Sequence, residues 1–217
     1  ETGASFCEYY GITERGNFEG KNIPNLLGGA AIADSFDRER QMLYEYRKSR
    51  YKLHIDDKIL TSWNALMICA MVILYRATGK QRYLQAAERT QKFIEENLAE
   101  GDLLFVSCRN GARSVNGFLD DYAYYMAALI FLYEATAKPY YRERAKTLYH
   151  QVKKQFSDTN GGGFFLYGRE NGSLITRPKE TYDGAMPSGN SVIAYCLVRL
   201  SQILKEEEIK EDAERQL

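Results

Sequence analysis

Apolar positions along the chain gather into blocks of helical length, and the blocks alternate in character. Lys58–Thr78 carries Ile59, Leu60, Trp63, Leu66, Ile68, Met71, Val72, Ile73 and Leu74, apolar nearly all round, as in a helix buried on most sides. Gln81–Leu98 instead confines Tyr83, Leu84, Ala87, Phe93 and Ile94 to one stripe, with charge opposite, as in a surface helix. The alternation continues. Leu119–Thr136 is apolar and Tyr140–Phe156 amphipathic; Ser191–Leu204 is apolar and Glu206–Leu217 amphipathic and charged. Buried and surface helices therefore read as inner and outer members of αα hairpins. Upstream, Ser35 is placed to cap a helix running to about Tyr51, with Met42, Leu43 and Tyr46 on one face. Glu1–Leu27, broken by Gly11, Gly16, Gly20 and Pro24, reads as non-helical, with a small β piece.

The apolar blocks repeat. Leu74-Tyr75-Arg76-Ala77-Thr78 aligns with Leu132-Tyr133-Glu134-Ala135-Thr136 at an offset of 58 residues, which carries Trp63 onto Asp121. A third copy at an offset of 68 carries Asp121 onto Gly189 and Leu132 onto Leu200. Inner-to-outer turns are short, whereas Ala99–Phe118 and Ser157–Pro187 are long. These long loops contain strand-like pieces at Leu103–Ser107, Gly163–Tyr167 and Ser173–Arg177. All of them fall at the end where inner helices begin. One face of the array is thus elaborate, and such faces usually carry function.

Composition narrows the function classes. Lysine plus arginine and aspartate plus glutamate both number 29, so no net charge favours nucleic acid or a strongly charged partner. Cys7, Cys69, Cys108 and Cys196 show neither CxxC nor metal-ligand spacing. No metal and no cofactor is expected. Free thiols in apolar helices fit a reducing, cytoplasmic compartment. No apolar stretch is long enough to span a bilayer, and no signal peptide is evident.

Four ordered motifs carry a family resemblance. His54-Ile55-Asp56-Asp57-Lys58-Ile59-Leu60-Thr61-Ser62-Trp63-Asn64 resembles an H-x-DDKILTSWN signature, and Gly16-Asn17-Phe18-Glu19-Gly20-Lys21-Asn22-Ile23 a GNFEGKNI motif. Asp120-Asp121-Tyr122-Ala123 resembles DDYA, and Lys179 to Ser191 a KE-x-x-DGA-x-PSGNS motif. The chain is similar to the YyaL-like, or spermatogenesis-associated thioredoxin-like, proteins. That resemblance implies an all-α partial six-hairpin (α/α) toroid, similar to N-acylglucosamine 2-epimerases and several glycoside hydrolases. About three hairpins are expected, with short β-hairpins in the long loops and residues 1–217 forming one domain. The family's thioredoxin-like domain and the other hairpins are absent from this sequence. A half ring would expose inner-helix flanks, implying self-association or a companion segment such as the thioredoxin-like domain.

Candidate chemistry gathers at the inner-helix starts. Asp56, Asp57, Asp120, Asp121, Glu180 and Asp183 all lie there. Two carboxylates in different protonation states would suit sugar cleavage; helix capping is the competing role, and each Asp-Asp pair is expected to split into one cap and one centre-facing residue. The catalytic candidates are Asp57, Asp121, Glu180, Asp183 and His54, the last as a proton shuttle. Trp63, Tyr122 and Tyr182 offer sugar-stacking rings or core packing. Asn64, Ser188 and Asn190 offer hydrogen bonds to hydroxyls or to loops, and Asp56 and Asp120 complete the substrate-binding set. Two functions follow as expectations: an epimerase-like or hydrolase-like carbohydrate enzyme, or a non-catalytic binding module.

Overall fold

A computed structural model describes residues 2–28, 36–50, 52–171 and 176–216. The chain divides into two compact units, Glu1–Asp56 and Asp57–Leu217.

The first unit contains helices α1 (Thr2–Tyr9) and α2 (Asp37–Arg50). Helix α1 departs from the non-helical expectation for Glu1–Leu27. The glycines that break that stretch all lie beyond it, while Phe6 is buried and packs on Tyr10 and Phe36. The GNFEGKNI segment is a self-braced loop. Asn17 donates to the carbonyls of Gly11 and Ile23 (2.9 Å each) and accepts the Ile23 amide at 2.8 Å. Gly16 sits at φ +78°, where a Cβ would meet Gly20 and Lys21 backbone at 2.6–2.7 Å. Met42, Leu43 and Tyr46 of α2 are exposed, and Ser35 and Tyr51 lie outside the described residues.

Among the described residues the second unit holds three αα hairpins. Inner helices α3 (Thr61–Thr78), α5 (Leu119–Thr136) and α7 (Gly189–Leu204) alternate with outer helices α4 (Gln81–Asn97), α6 (Pro139–Phe156) and α8 (Glu207–Gln216). Helix α5 is central, packed on α3, α6 and α7. Its buried residues form the middle of one core that runs from Ala65 on α3 to Leu200 on α7. Outer helices are tied in by side-chain bonds. Tyr125 donates to Glu95 at 2.5 Å, and Glu95 also takes Arg144 at 2.9 Å, joining α4, α5 and α6.

The repeat is structural. Inner helices end at Gly79, Ala137 and Lys205, the same position in each copy, and all three are left-handed with φ of +68°, +54° and +57°. Each donates its amide to the carbonyl four residues back, closing the helix. Below these caps Glu134 on α5 binds Arg76 of α3 and Arg199 of α7.

The long loops return to the inner-helix starts. Strand β1 (Ile59–Leu60) pairs with β4 (Ser107–Arg109), which pairs with β5 (Ala112–Arg113); β2 (Ala99–Glu100) and β3 (Leu103–Leu104) form a separate hairpin. The β1 pairing explains why α3 starts at Thr61 rather than Lys58. In the second loop no hairpin forms between Gly163–Tyr167 and a following strand among the described residues. Phe164 bridges to Ser157, and the Leu166 amide donates to Pro178. The piece Ser173–Arg177 falls largely outside the described residues.

Helix α3 is less buried than its composition suggests. The repeat positions Asp121, Tyr125, Ala128 and Leu132 of α5 are all buried, and so are Gly189, Ile193, Cys196 and Leu200 of α7. Their counterparts on α3 include Trp63, Met67 and Leu74, which are 62%, 51% and 40% exposed. In α5 and α7 this stripe faces a preceding hairpin of the second unit; on α3 that unit provides none. We therefore expect Met67→Ala to change stability by less than about 1 kcal/mol, while Ile68→Ala, one residue on and fully buried, costs about 2–5 kcal/mol in urea unfolding. Ala137→Gly should add about 0.5 kcal/mol and Gly79→Ala remove about 1 kcal/mol, because both sites are left-handed.

Candidate active site

The starts of α3, α5 and α7 are stitched together by carboxylates. Asp121, in the first turn of α5, is buried. One of its oxygens accepts the Phe118 amide at 2.9 Å and the other the Ser62 amide at 3.1 Å. It thus caps its own helix and holds the first turn of α3 against it. Burial raises its pKa to about 7, with the Phe118 and Ser62 amides pulling the other way and Asp120 adding repulsion.

Its neighbour Asp120 is half-buried and differently placed. Its Oδ1 is buried and is the one such side-chain atom among the described residues without a hydrogen-bond partner. That oxygen lies against the start of α7, 2.5 Å from where a Cβ of Gly189 would be. Burial raises the Asp120 pKa, the Gly189 amide lowers it, and the charge of Glu180 raises it. Glu180 itself is exposed on the loop before α7. Asp120 and Glu180 are therefore two interacting carboxyls in unlike surroundings, one half-buried and one exposed.

The remaining carboxylates are engaged. Asp183 accepts the Ser188 amide at 2.8 Å and the Ser191 hydroxyl at 3.0 Å, and these bonds lower its pKa. Asp57 pairs with Arg109 at 2.5 Å on the surface. His54 and Asp56 are exposed and belong to the first unit.

The rings divide between surface and core. Tyr182 and Trp63 are exposed, whereas Tyr122 is buried, with its ring against Phe156 and its hydroxyl accepting the Leu104 amide at 3.0 Å. Tyr122 lies at the position after Asp121, where the helical twist turns it into the core. The amide side chains brace loops. Asn190 accepts from the Phe164 amide and donates to the carbonyls of Phe164 and Glu180, all within 2.9 Å. Asn64 donates to Leu60, and Ser188 caps α7 by accepting the Ser191 amide.

Two participants lie outside the set of candidate site residues. Tyr124 donates its hydroxyl to the Pro187 carbonyl, fixing the turn before α7 over α5. Gly189 is required by space and not by backbone conformation, since its φ is not positive. Neither carries a polar pattern of its own that would mark it. Among the described residues no group of three or more His, Cys, Asp or Glu is arranged to hold a metal. Burial pushes the Cys69 thiol up to about 12 and raises those of Cys196 and Cys108, so none is poised as a thiolate. No helix among the described residues is long and apolar enough to cross a membrane.

The sequence profile of glycosyl hydrolase family 76 matches residues 60–186, more than half of the chain. The chain belongs to glycosyl hydrolase family 76. The matched span contains Asp120, Asp121, Glu180 and Asp183 and excludes Asp56 and Asp57. Human spermatogenesis-associated protein 20 is 31% identical over 92% of this chain, in keeping with the four motifs. This family 76 chain spans 30% of that protein's length. Among solved structures, cellobiose 2-epimerase from Bacillus thermoamylovorans matches with a TM-score of 0.63 at 16% identity, over 76% of this chain and 45% of that one. An alpha-1,6-mannanase from Salegentibacter, made inactive by replacing two adjacent aspartates with asparagine and bound to alpha-1,6-mannotriose, matches with a TM-score of 0.58 at 16% identity, over 85% of this chain and 53% of that one. The fold is therefore a partial (α/α) toroid.

Asp121 gives a pH-dependent prediction. Its folded pKa lies above its unfolded value near 3.8, so its contribution to stability is complete below about pH 4 and is lost as pH rises through about 7. Asp121→Asn turns one amide hydrogen toward a backbone donor and should cost about 1–3 kcal/mol at low pH. The difference in melting temperature between parent and variant should narrow from pH 4 to pH 8. A difference that widens instead would mean a carboxylate stabilised by its two amides, with a lowered pKa.

Proposed function

We propose that this domain is a carbohydrate-active unit whose site lies at the starts of α3, α5 and α7, with Asp120 as its proton-exchanging group. The observation that carries the reading is the Asp120 carboxyl: half-buried, one oxygen unpartnered, its pKa raised, and Glu180 close enough to act on it. In glycosidic hydrolysis a carboxyl that keeps its proton near neutral pH gives it to the leaving oxygen, while an ionised one activates water or attacks the sugar. Asp120, half-buried with its pKa raised, suits proton donation, and the exposed Glu180 is the carboxyl beside it. Asp183, tied to α7, and Asp121, tied to α3 and α5, hold the frame in which those two act. Trp63 and Tyr182, both exposed, are the rings available for stacking on a sugar. Tyr122 is not part of this surface.

Family membership favours hydrolysis over epimerisation. The mannanase relative lost activity when two adjacent aspartates were changed, and Asp120-Asp121 is the adjacent pair inside the family match. A mannoside is accordingly the first substrate to try. The domain would work in the cytoplasm, where its free cysteines stay reduced. The exposed stripe of α3 is the flank through which a companion segment, a thioredoxin-like domain or a second copy would associate.

A second reading has its own support. Asp57, Asp121 and Asp183 are all engaged as ion pairs or caps, as expected of a non-catalytic binding module. Reducing-end release from alpha-1,6-mannan, together with thermal shift by mannooligosaccharides, separates the two. The enzyme reading expects turnover by the parent and a loss of about 100-fold or more in Asp120→Asn. Sugar binding with no turnover, unchanged in Asp120→Asn, supports the binding module. Neither binding nor turnover with any sugar overturns the carbohydrate reading.

A further inference from the structure

Gly189 is the first residue of α7, and it is buried. The usual reason for a glycine, a left-handed backbone, does not apply here; its φ is not positive. What it provides is room. A Cβ at this position would lie 2.5 Å from Oδ1 of Asp120 and 2.9–3.0 Å from the side chain of Leu119. Leu119 is fully buried and cannot withdraw. The same repeat position holds Trp63 on α3 and Asp121 on α5, so α7 is the copy in which the side chain is missing. Its absence lets the Asp120 carboxyl of the preceding hairpin occupy that space.

We propose that Gly189 is a positioning residue: its bare α-carbon lets the positive end of α7 close on Asp120 and holds that carboxyl in its working place. The claim deepens the reading of Asp120 as the proton-exchanging group and rests on it for its functional meaning. The physics is local. The first amides of a helix have no partner within it and favour a nearby negative charge. The Gly189 amide lowers the Asp120 pKa, opposing burial and Glu180. The other groups that sense Asp120 are Asp121 on α5, whose carboxyl it repels, and Tyr124 one turn along, whose phenol it raises. The contact with α7 that the Gly189 space allows therefore holds the Asp120 pKa below where burial and Glu180 alone would put it. The turn itself is fixed independently, by Tyr124 on Pro187 and by Asp183 on Ser188. Adding a Cβ should therefore displace the carboxyl and leave the turn in place.

The test is the carboxyl-carbon NMR titration of Asp120, its signal assigned by loss in Asp120→Asn. In Gly189→Ala the midpoint should rise by about half a pH unit or more, as the amide's stabilisation of the charged form is lost. Leu200→Ala is the control. It opens a cavity in the buried middle of α7 and should lower the melting temperature while leaving the Asp120 midpoint where it is. A Gly189→Ala protein that melts lower with an unmoved Asp120 midpoint overturns the proposal, as does an equal shift in Leu200→Ala. The readout needs no sugar. If Asp120→Asn keeps full activity while Gly189→Ala still moves the titration, the functional reading fails and the positioning stands.

Discussion

The architecture of the second unit depends on one buried carboxylate. Asp121 accepts an amide from the turn before its own helix and another from the first turn of α3. Helix starts leave backbone donors without partners, and burying such donors unsatisfied costs about as much as a lost hydrogen bond each. By answering donors on two helices at once, Asp121 sets their starts at a common level. The β1–β4 pairing and the Thr61 amide on the Val106 carbonyl (3.0 Å) reinforce that level from the loop side. At α7 the corresponding work passes to Asp183, which reaches Ser188 and Ser191 from the preceding loop. The repeat thus preserves a function, the capping of each start, while changing the residue that supplies it.

That division of labour is what leaves Asp120 available. Two adjacent aspartates at a helix start cannot both turn inward to the same amides. Once Asp121 has done so, Asp120 points across the seam toward α7, where Gly189 has no side chain to meet it. A half-buried carboxyl at the end of one helix and the start of another feels burial and dipole in opposite directions. The balance between them is adjustable by small changes of position, as the role proposed for Asp120 requires. Asp57, by contrast, is paired with Arg109 on the surface, where salt screens such a pair.

Much of this was legible in the sequence, because the repeat is written in apolar spacing and apolar spacing is what packing enforces. The alternation of inner and outer helices, the offsets of 58 and 68 and the elaborate end of the array all follow from it. The motifs located the inner-helix starts. What pattern alone does not supply is which way a side chain turns. Tyr122 and the adjacent Asp121 are both buried, yet one packs its ring on Phe156 and the other answers backbone amides. Helix α3 has the composition of a fully buried helix, yet its Trp63–Leu74 stripe is exposed because burial depends on a neighbour and composition does not record one. Helix α1 forms within a glycine-rich segment because its own residues 2–9 hold only Gly3 and it packs Phe6 inward. Gly189 belongs to the PSGNS motif, but its reason, the absence of a Cβ opposite Asp120, exists only once two helices from different repeats are brought together.

The comparison of the three inner helices also bears on why the proposed site falls where it does. At their far ends the helices are equivalent: each closes on a left-handed residue, and Glu134 bridges Arg76 and Arg199 across all three. Identical closures make a plain, rigid base. At the near ends every copy differs, with Trp63, Asp121 and Gly189 at one repeat position. A ring exposed at one copy, a buried cap at the next and open space at the third cannot all be optimal for packing. Departure from the repeat is confined to the end reached by the long loops, and there the departures fit one another: the cap frees its neighbour, and the open space receives it. These complementary exceptions across the repeat seam meet at Asp120, in keeping with the site proposed for it.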